Sequence, residues 1–135
     1  MFRQLDEQTM ISGQVTKADL ADAHRLGVTL VVNNRGDGEE PGQPTSADVE
    51  RWVEAANLAY THIPLIKGIG PADVEAMVEA MDDAGEGKLL AFCRSGIRSV
   101  LLWALAKRQL GSDRAEVEEA AERAGFSLQS IAHLL

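Results

Sequence analysis

Two short runs constrain this chain more than any other feature: VTLVVNN at 28–34 and KLLAFC at 88–93. Both are nearly unbroken in apolar residues, with no alternate polar position to face water. A strand of that kind is covered on both faces, the pattern of a parallel sheet with helices above and below it. LAYTHIPL at 58–65 reads as another strand, and Phe2–Asp6 and Thr9–Ser12 as two short ones before the breaker Gly13. Between the strands the apolar spacing becomes helical. Thr16 caps a helix to about Leu26, with Leu20, Ala23 and Leu26 on its apolar face and Gly27 just past its end. Thr45 or Ser46 opens a second helix to about Ala56. Pro71 suits the first position of a third, which carries Val74, Met77, Val78 and Met81 as far as Asp83 and stops at Gly85 and Gly87. From about Arg98 to Leu135 the chain reads as helical, broken at Gly111 and Gly125, with Ser112 and Ser127 as caps. Strands alternating with helices predict one α/β domain over residues 1–135, its mostly parallel central sheet flanked by helices on both faces.

Composition narrows the partners. Twenty-one acidic against thirteen basic residues leave a net charge of −8, which argues against a nucleic-acid or anionic-membrane surface. No segment approaches the roughly 20 apolar residues of a membrane helix. MFRQLDEQTM lacks the apolar stretch of a secretory leader, so the expected compartment is the cytoplasm. A single cysteine allows no intramolecular disulfide and no cysteine-based zinc site, and His24, His62 and His133 show no metal-ligand spacing. The chemistry calls for no metal and no cofactor. A small anionic substrate would need a local basic pocket in an acidic protein.

The lone cysteine supplies that pocket. Ligands of open parallel sheets bind beyond the C-terminal strand ends, and three loops leave those ends: Asn33–Thr45, Pro64–Gly70 and Cys93–Arg98. Cys93 stands where a buried strand stops and a helix begins, so the amides of Arg94, Ser95, Gly96, Ile97 and Arg98 can turn inward as an anion cradle. Gly96 permits a positive φ or a close approach. Arg98 can close the ring with a bidentate contact to an oxyanion. The same surroundings depress a thiol pKa, making Cys93 a nucleophile. Ser99 can hydrogen-bond the thiolate or assist a leaving sulfur. A cysteine following KLLAF is by itself often a buried core residue. The arginines and serines after it do not belong in a core.

CRSGIRS resembles the signature loop of cysteine-dependent phosphatases and also that of rhodanese sulfurtransferases. VVNNR, the acidic Pro/Gly loop and AYTHIPL follow the order seen in dual-specificity phosphatases. SGQVTKADL, NNRGDGEEPGQP, HIPL and FCRSGIRSVLLWALA resemble segments of the bacterial DUF442 family, the beta-lactamase-hydrolase-like phosphatase-like domains. The resemblance implies a cysteine-phosphatase-like three-layer sandwich and a hydrolase working through a covalent Cys93 intermediate. Two features depart from the phosphatase pattern. Four residues, not five, separate Cys93 from Arg98, and LIKGIGPAD offers no general acid before Asp73. Sulfur transfer through a Cys93 persulfide needs no such acid and stays open, as does a catalytically silent anion-binding domain.

The remaining polar residues carry paired readings. Arg35 either extends the positive pocket or pairs with Asp37 or Glu39. Asp37, Glu39 and Glu40 are proton-donor candidates, though such loop acids are more commonly solvated charges. Asp37 is also a substrate-binding candidate. Lys67 is an anion contact or a solvated charge. Asn33 and Asn34 fasten loops, His62 is structural, and Asp73 serves the third helix dipole. Trp52 and Trp103 anchor the core. Leu134 and Leu135 either fold back or form a patch that pairs subunits as a homodimer.

Overall fold

The computed structural model of the protein describes residues 2–135. Five strands form one sheet: β1 (Arg3–Asp6), β2 (Thr9–Ser12), β3 (Val28–Asn33), β4 (Ala59–His62) and β5 (Lys88–Phe92), in the order β1-β2-β5-β3-β4. Only Glu7 and Gln8 separate β1 from β2, so these two pair antiparallel. The other neighbours are parallel, because each connection between them carries a helix across a face. Those helices are α1 (Lys17–Arg25), α2 (Ser46–Ala55) and α3 (Pro71–Asp83); α4 (Ile97–Gln109) and α5 (Arg114–Arg123) follow β5. Among the described residues no helix is long and apolar enough to cross a membrane.

The two apolar runs are buried on both sides, and their side chains alternate between two cores. Leu89 and Ala91 of β5, with Leu30 and Val32 of β3, face a core completed by Met77, Leu102, Trp103, Val117 and Ala121. Leu90, Phe92 and Val31 face the other, against Leu20, Ala23, Val49 and Val53. The result is three layers: α1 and α2, the sheet, then α3, α4 and α5. α1 and α2 begin alike. Thr16 and Thr45 each accept the amide of the third helical residue, Asp19 at 3.2 Å and Asp48 at 3.1 Å, and those carboxylates accept the threonine amides in return. α3 starts at Pro71, and Asp73 accepts the Gly70 amide at 2.8 Å in its first turn, the dipole role expected of it.

Some elements differ from the sequence expectation. Leu26 is 46% exposed, because the helix ends at Arg25 and the chain turns through Gly27 before Leu26 can reach the core. β1 begins at Arg3, not Phe2. β4 stops at His62 because β3, its ladder partner, stops at Asn33. The N-cap of α5 is Asp113, not Ser112. After Gly125 the chain is not α-helical: it passes Phe126 to a 3₁₀ helix, Gln129–Leu134, whose entry Ser127 supports by accepting the Gln129 amide at 3.2 Å. The end folds back, with the Leu135 carbonyl accepting from Arg108 Nη2 at 2.9 Å, while Leu134 remains 54% exposed.

One glycine fixes how α4 leaves the sheet. Gly96, its N-cap, has φ +97°, and a Cβ there would lie 2.9 Å from Ile11 Cγ2 and 3.3 Å from Phe126 Cζ. Gly96→Ala should lower stability by about 2 kcal/mol, combining left-handed strain with overpacking. Urea unfolding should show a lower midpoint at unchanged slope; an unchanged midpoint would refute the constraint.

Candidate active site

The ends of β2, β3, β4 and β5 meet at one edge, joined by bonds that continue past the ladders. The Cys93 amide donates to Ser12 O at 3.4 Å, Asn34 N to Phe92 O at 2.8 Å, and Leu65 N to Asn34 O at 3.0 Å. The exit of β2 runs so close that a Cβ on Gly13 would lie 3.0 Å from the Arg94 carbonyl oxygen. Cys93 is thereby fixed at the floor of the edge, 0% exposed, with the turn Arg94–Gly96 wrapped around its sulfur. Gly96 N–H donates to Sγ at 3.1 Å. Burial works against the thiolate, but the amides of Ser99, Ser95, Gly96 and Arg98 outweigh it and hold the Cys93 pKa below that of an ordinary thiol.

Three arginines surround this loop, and each has a carboxylate partner. Arg98 makes a fork-to-fork pair with Glu39: Nη1 donates to Oε2 and Nη2 to Oε1, both at 2.8 Å. Arg98 Nη1 also reaches the Leu65 carbonyl at 2.9 Å. Arg35, only 1% exposed, donates to Glu39 Oε1 at 3.1 Å, Gln14 Oε1 at 2.8 Å and Glu40 Oε1 at 3.2 Å. Arg94 lies 3.5 Å from Glu40 Oε2. Glu39 accepts a fourth bond from the Gly36 amide at 2.9 Å. Its pKa falls from 4.5 to about 2, chiefly through the Arg98 hydrogen bonds, which overcome the opposing effect of burial. Arg98 rises in turn, chiefly through Glu39, with the Cys93 charge adding to it. Since Glu39 is depressed in the folded state, its stabilisation is complete above about pH 4.5 and is lost as pH falls towards 2. Glu39 therefore holds no proton to donate near neutrality.

The asparagines tie the frame together. Asn34, 0% exposed, donates through Nδ2 to Ile63 O at 2.9 Å and accepts the Ser99 hydroxyl at Oδ1 at 2.7 Å. Asn33 bonds Tyr60 and accepts the Arg35 amide at 2.9 Å. His62 Nε2 is 2.6 Å from the Arg35 carbonyl, a structural contact as expected.

Cys93, Gly96, Arg98 and Ser99 thus come together. The Ser99 hydroxyl proton goes to Asn34, so this residue meets the sulfur through its amide. Arg94, Ser95 and Ile97 line the outer rim, all exposed. Arg35 sits beside the loop, paired with Glu39 but not with Asp37. The Asp37 carboxylate turns away and accepts the Ser46 amide at 2.7 Å. Lys67 is exposed on its loop. Glu39 and Glu40, expected as solvated charges, are the principal partners of the three arginines; Glu39 lies 59 positions from Arg98, and no local pattern announces the pair. Gln14 gave no signal at all. A cavity of about 460 Å³ opens at the opposite end of the strands, beside Thr9, Met81 and Leu89, and shares no residue with the thiol loop.

Known proteins resemble this chain in sequence and fold. The profile of the family "Beta-lactamase hydrolase-like protein, phosphatase-like domain" matches residues 1–111. A beta-lactamase hydrolase-like protein of Xylella fastidiosa is 36% identical over 126 residues, which cover 92% of this chain and 29% of that protein. The chain thus spans under a third of the curated relatives it matches. The crystal structure of a candidate phosphatase from Neisseria meningitidis superposes with a TM-score of 0.81 at 34% identity, covering 98% of this chain and 94% of that one. P. aeruginosa TpbA, solved in complex with phosphotyrosine, shares the fold at a TM-score of 0.69 and 20% identity, covering 96% and 76%.

The amide ring makes a direct prediction for the thiol. Alkylation of Cys93 by iodoacetamide should follow a pH profile with its midpoint below the ~8.5 of a free cysteine. A midpoint at or above that value would mean that burial wins.

Proposed function

The chain belongs to the family of phosphatase-like domains of beta-lactamase hydrolase-like proteins, and on that premise we propose that it is a phosphatase-like hydrolase with Cys93 as nucleophile. The observation that carries this reading is the buried thiol with the Gly96 amide on Sγ at 3.1 Å, the amides of Ser99, Ser95 and Arg98 helping to lower its pKa. Donors placed to hold a thiolate are placed to hold the oxygens of a group attached to it. The thiolate attacks phosphorus, the S–P bond forms as the ester P–O bond breaks, and the leaving oxygen takes its proton from water. Water then cleaves the S–P bond, releasing inorganic phosphate and restoring the thiolate. Arg98 neutralises the phosphoryl oxygens.

A second reading has its own support. Asp73 is committed to the Gly70 amide, and Glu39 is ionised, so neither protonates a leaving alkoxide. A general acid contributes roughly 10²–10⁴ in rate. Sulfur transfer does without one: the thiolate attacks the outer sulfur of thiosulfate, the S–S bond forms, and sulfite leaves as an anion, giving a Cys93 persulfide. Under the first reading, aryl phosphates with good leaving groups should turn over far faster than alkyl ones.

Intact mass after separate exposure to an aryl phosphate and to thiosulfate tests both. The expected result is a phosphoryl adduct, or phenol release, that disappears in Cys93→Ser. A gain of one sulfur atom, absent from the variant and discharged by cyanide, with no reaction towards the phosphate, would replace the first reading by the second. Arg98→Lys should weaken sulfate binding about tenfold, since an ammonium cannot make the forked contact; unchanged affinity in a calorimetric titration would remove Arg98 from the oxyanion seat.

A further inference from the structure

The forked donors of Arg98, which the proposed chemistry assigns to an incoming oxyanion, are already filled. Glu39 places its two carboxylate oxygens on four donors: Arg98 Nη1 and Nη2, Arg35 Nε and the Gly36 amide, at 2.8–3.1 Å. Two guanidiniums hold this loop carboxylate, one of them 1% exposed. The Glu39 side chain is itself only 22% exposed, although its backbone lies on the surface. It reaches inward from the acidic loop to the edge where the thiol sits. A second strap, Glu40 to Arg94, joins the same two loops at 3.5 Å. Cys93 beneath them is 0% exposed, so no substrate reaches Sγ unless a neighbouring group moves.

We propose that Glu39 is an internal substrate mimic: its carboxylate occupies the oxyanion seat on Arg98 and must be displaced before any anionic ligand can bind there. This rests on the reading of Arg98 as the oxyanion-binding residue. The exchange is governed by charge. With Cys93 ionised, the arginines 35, 94 and 98 face an equal number of negative charges in Cys93, Glu39 and Glu40. A monoanion offers Arg98 no more charge than Glu39 already supplies, and it lacks the tether. A phosphoryl-type dianion offers twice the charge and more acceptor oxygens, so it competes. Only the Glu39 side chain needs to swing out. Arg35 keeps Gln14 and Glu40, and the acidic loop stays anchored through Asp37 to the start of α2 and through Gln43 Nε2, which donates to Gly36 O at 2.9 Å. Every ligand that binds gives up part of its affinity to this exchange. Acid does not open the clasp in the ordinary range, because the Glu39 pKa lies near 2.

The test separates this proposal from the nucleophile. Sulfate, a dianion, and methanesulfonate, a monoanion, are titrated by calorimetry at pH 7 into Cys93→Ser and into Cys93→Ser with Glu39→Gln. Neither titration depends on thiol reactivity or turnover. Removing the carboxylate charge should tighten sulfate and methanesulfonate binding alike, each by roughly tenfold, because every anion is relieved of the same displacement. If Glu39 merely braces the loop, its loss would loosen the seat and sulfate affinity would stay the same or fall; either result overturns the proposal. Circular dichroism and the urea midpoint of the double variant report whether the fold persists. If it does not, Glu39→Asp, which keeps the charge but is one methylene short of the forked contact, is titrated in its place. Tighter sulfate binding there supports the clasp, and equal or weaker binding refutes it. Absence of turnover in the wild type, with tightening in these variants, would remove the hydrolase reading and leave the clasp standing.

Discussion

The site depends on one buried side chain, Asn34. Its amide nitrogen holds the Ile63 carbonyl past the end of β4, and its oxygen holds the Ser99 hydroxyl in the first turn of α4. Both partners are distant in sequence, and Asn34 has no contact with water. In such surroundings an unmade hydrogen bond costs the full desolvation of the group, roughly 1–3 kcal/mol, so the three segments are locked into one arrangement. The lock ties down the first turn of α4, whose Ser99 amide helps lower the thiol pKa. A parallel sheet brings strand ends to one edge; this asparagine sets their spacing once they are there.

Charge is handled differently. An acidic protein that gathers arginines at one edge does not leave them bare. Here the positive groups come from two segments, Arg35 from the loop after β3 and Arg94 and Arg98 from the turn into α4 after β5, and each is met by a glutamate of the first. Arg35 shows the cost of the arrangement: it is almost wholly buried, and Gln14, Glu39 and Glu40 are needed together to satisfy its donors. Each arginine at the edge thus has a carboxylate beside it.

What could be read from the sequence follows the range of each signal. The runs 28–34 and 88–93 were legible as strands because burial on both faces leaves a mark in every residue. The threonine caps of α1 and α2 were legible because their partners lie three positions away. That Cys93, Gly96 and Arg98 lie together was legible because they belong to one continuous turn into α4. The partner of Arg98 was not, because a loop side chain takes its direction from whatever the fold places opposite, here 59 positions along. Leu26 was misjudged because periodicity carries no information on where a helix ends within its last turn. The segment after Gly125 was misjudged because Leu128 and Ile131 are spaced for a helix while the packing draws them into a tighter 3₁₀ turn.

Phe126 gives the region after the family match a meaning of its own. The family profile ends at residue 111, yet Phe126 presses on Gly96 from behind, and Arg3 clamps it in place, with its guanidinium 5.3 Å from the ring centroid and Nη1 donating to Ala124 O at 2.7 Å. Val117, Ala121, Leu128 and Ile131 continue the same core. The thiol loop thus has an outer wall built by residues that the recurring pattern does not include. Two proteins can share every residue of the loop and differ in what stands behind it, so the stiffness of the cradle can be inherited separately from its chemistry.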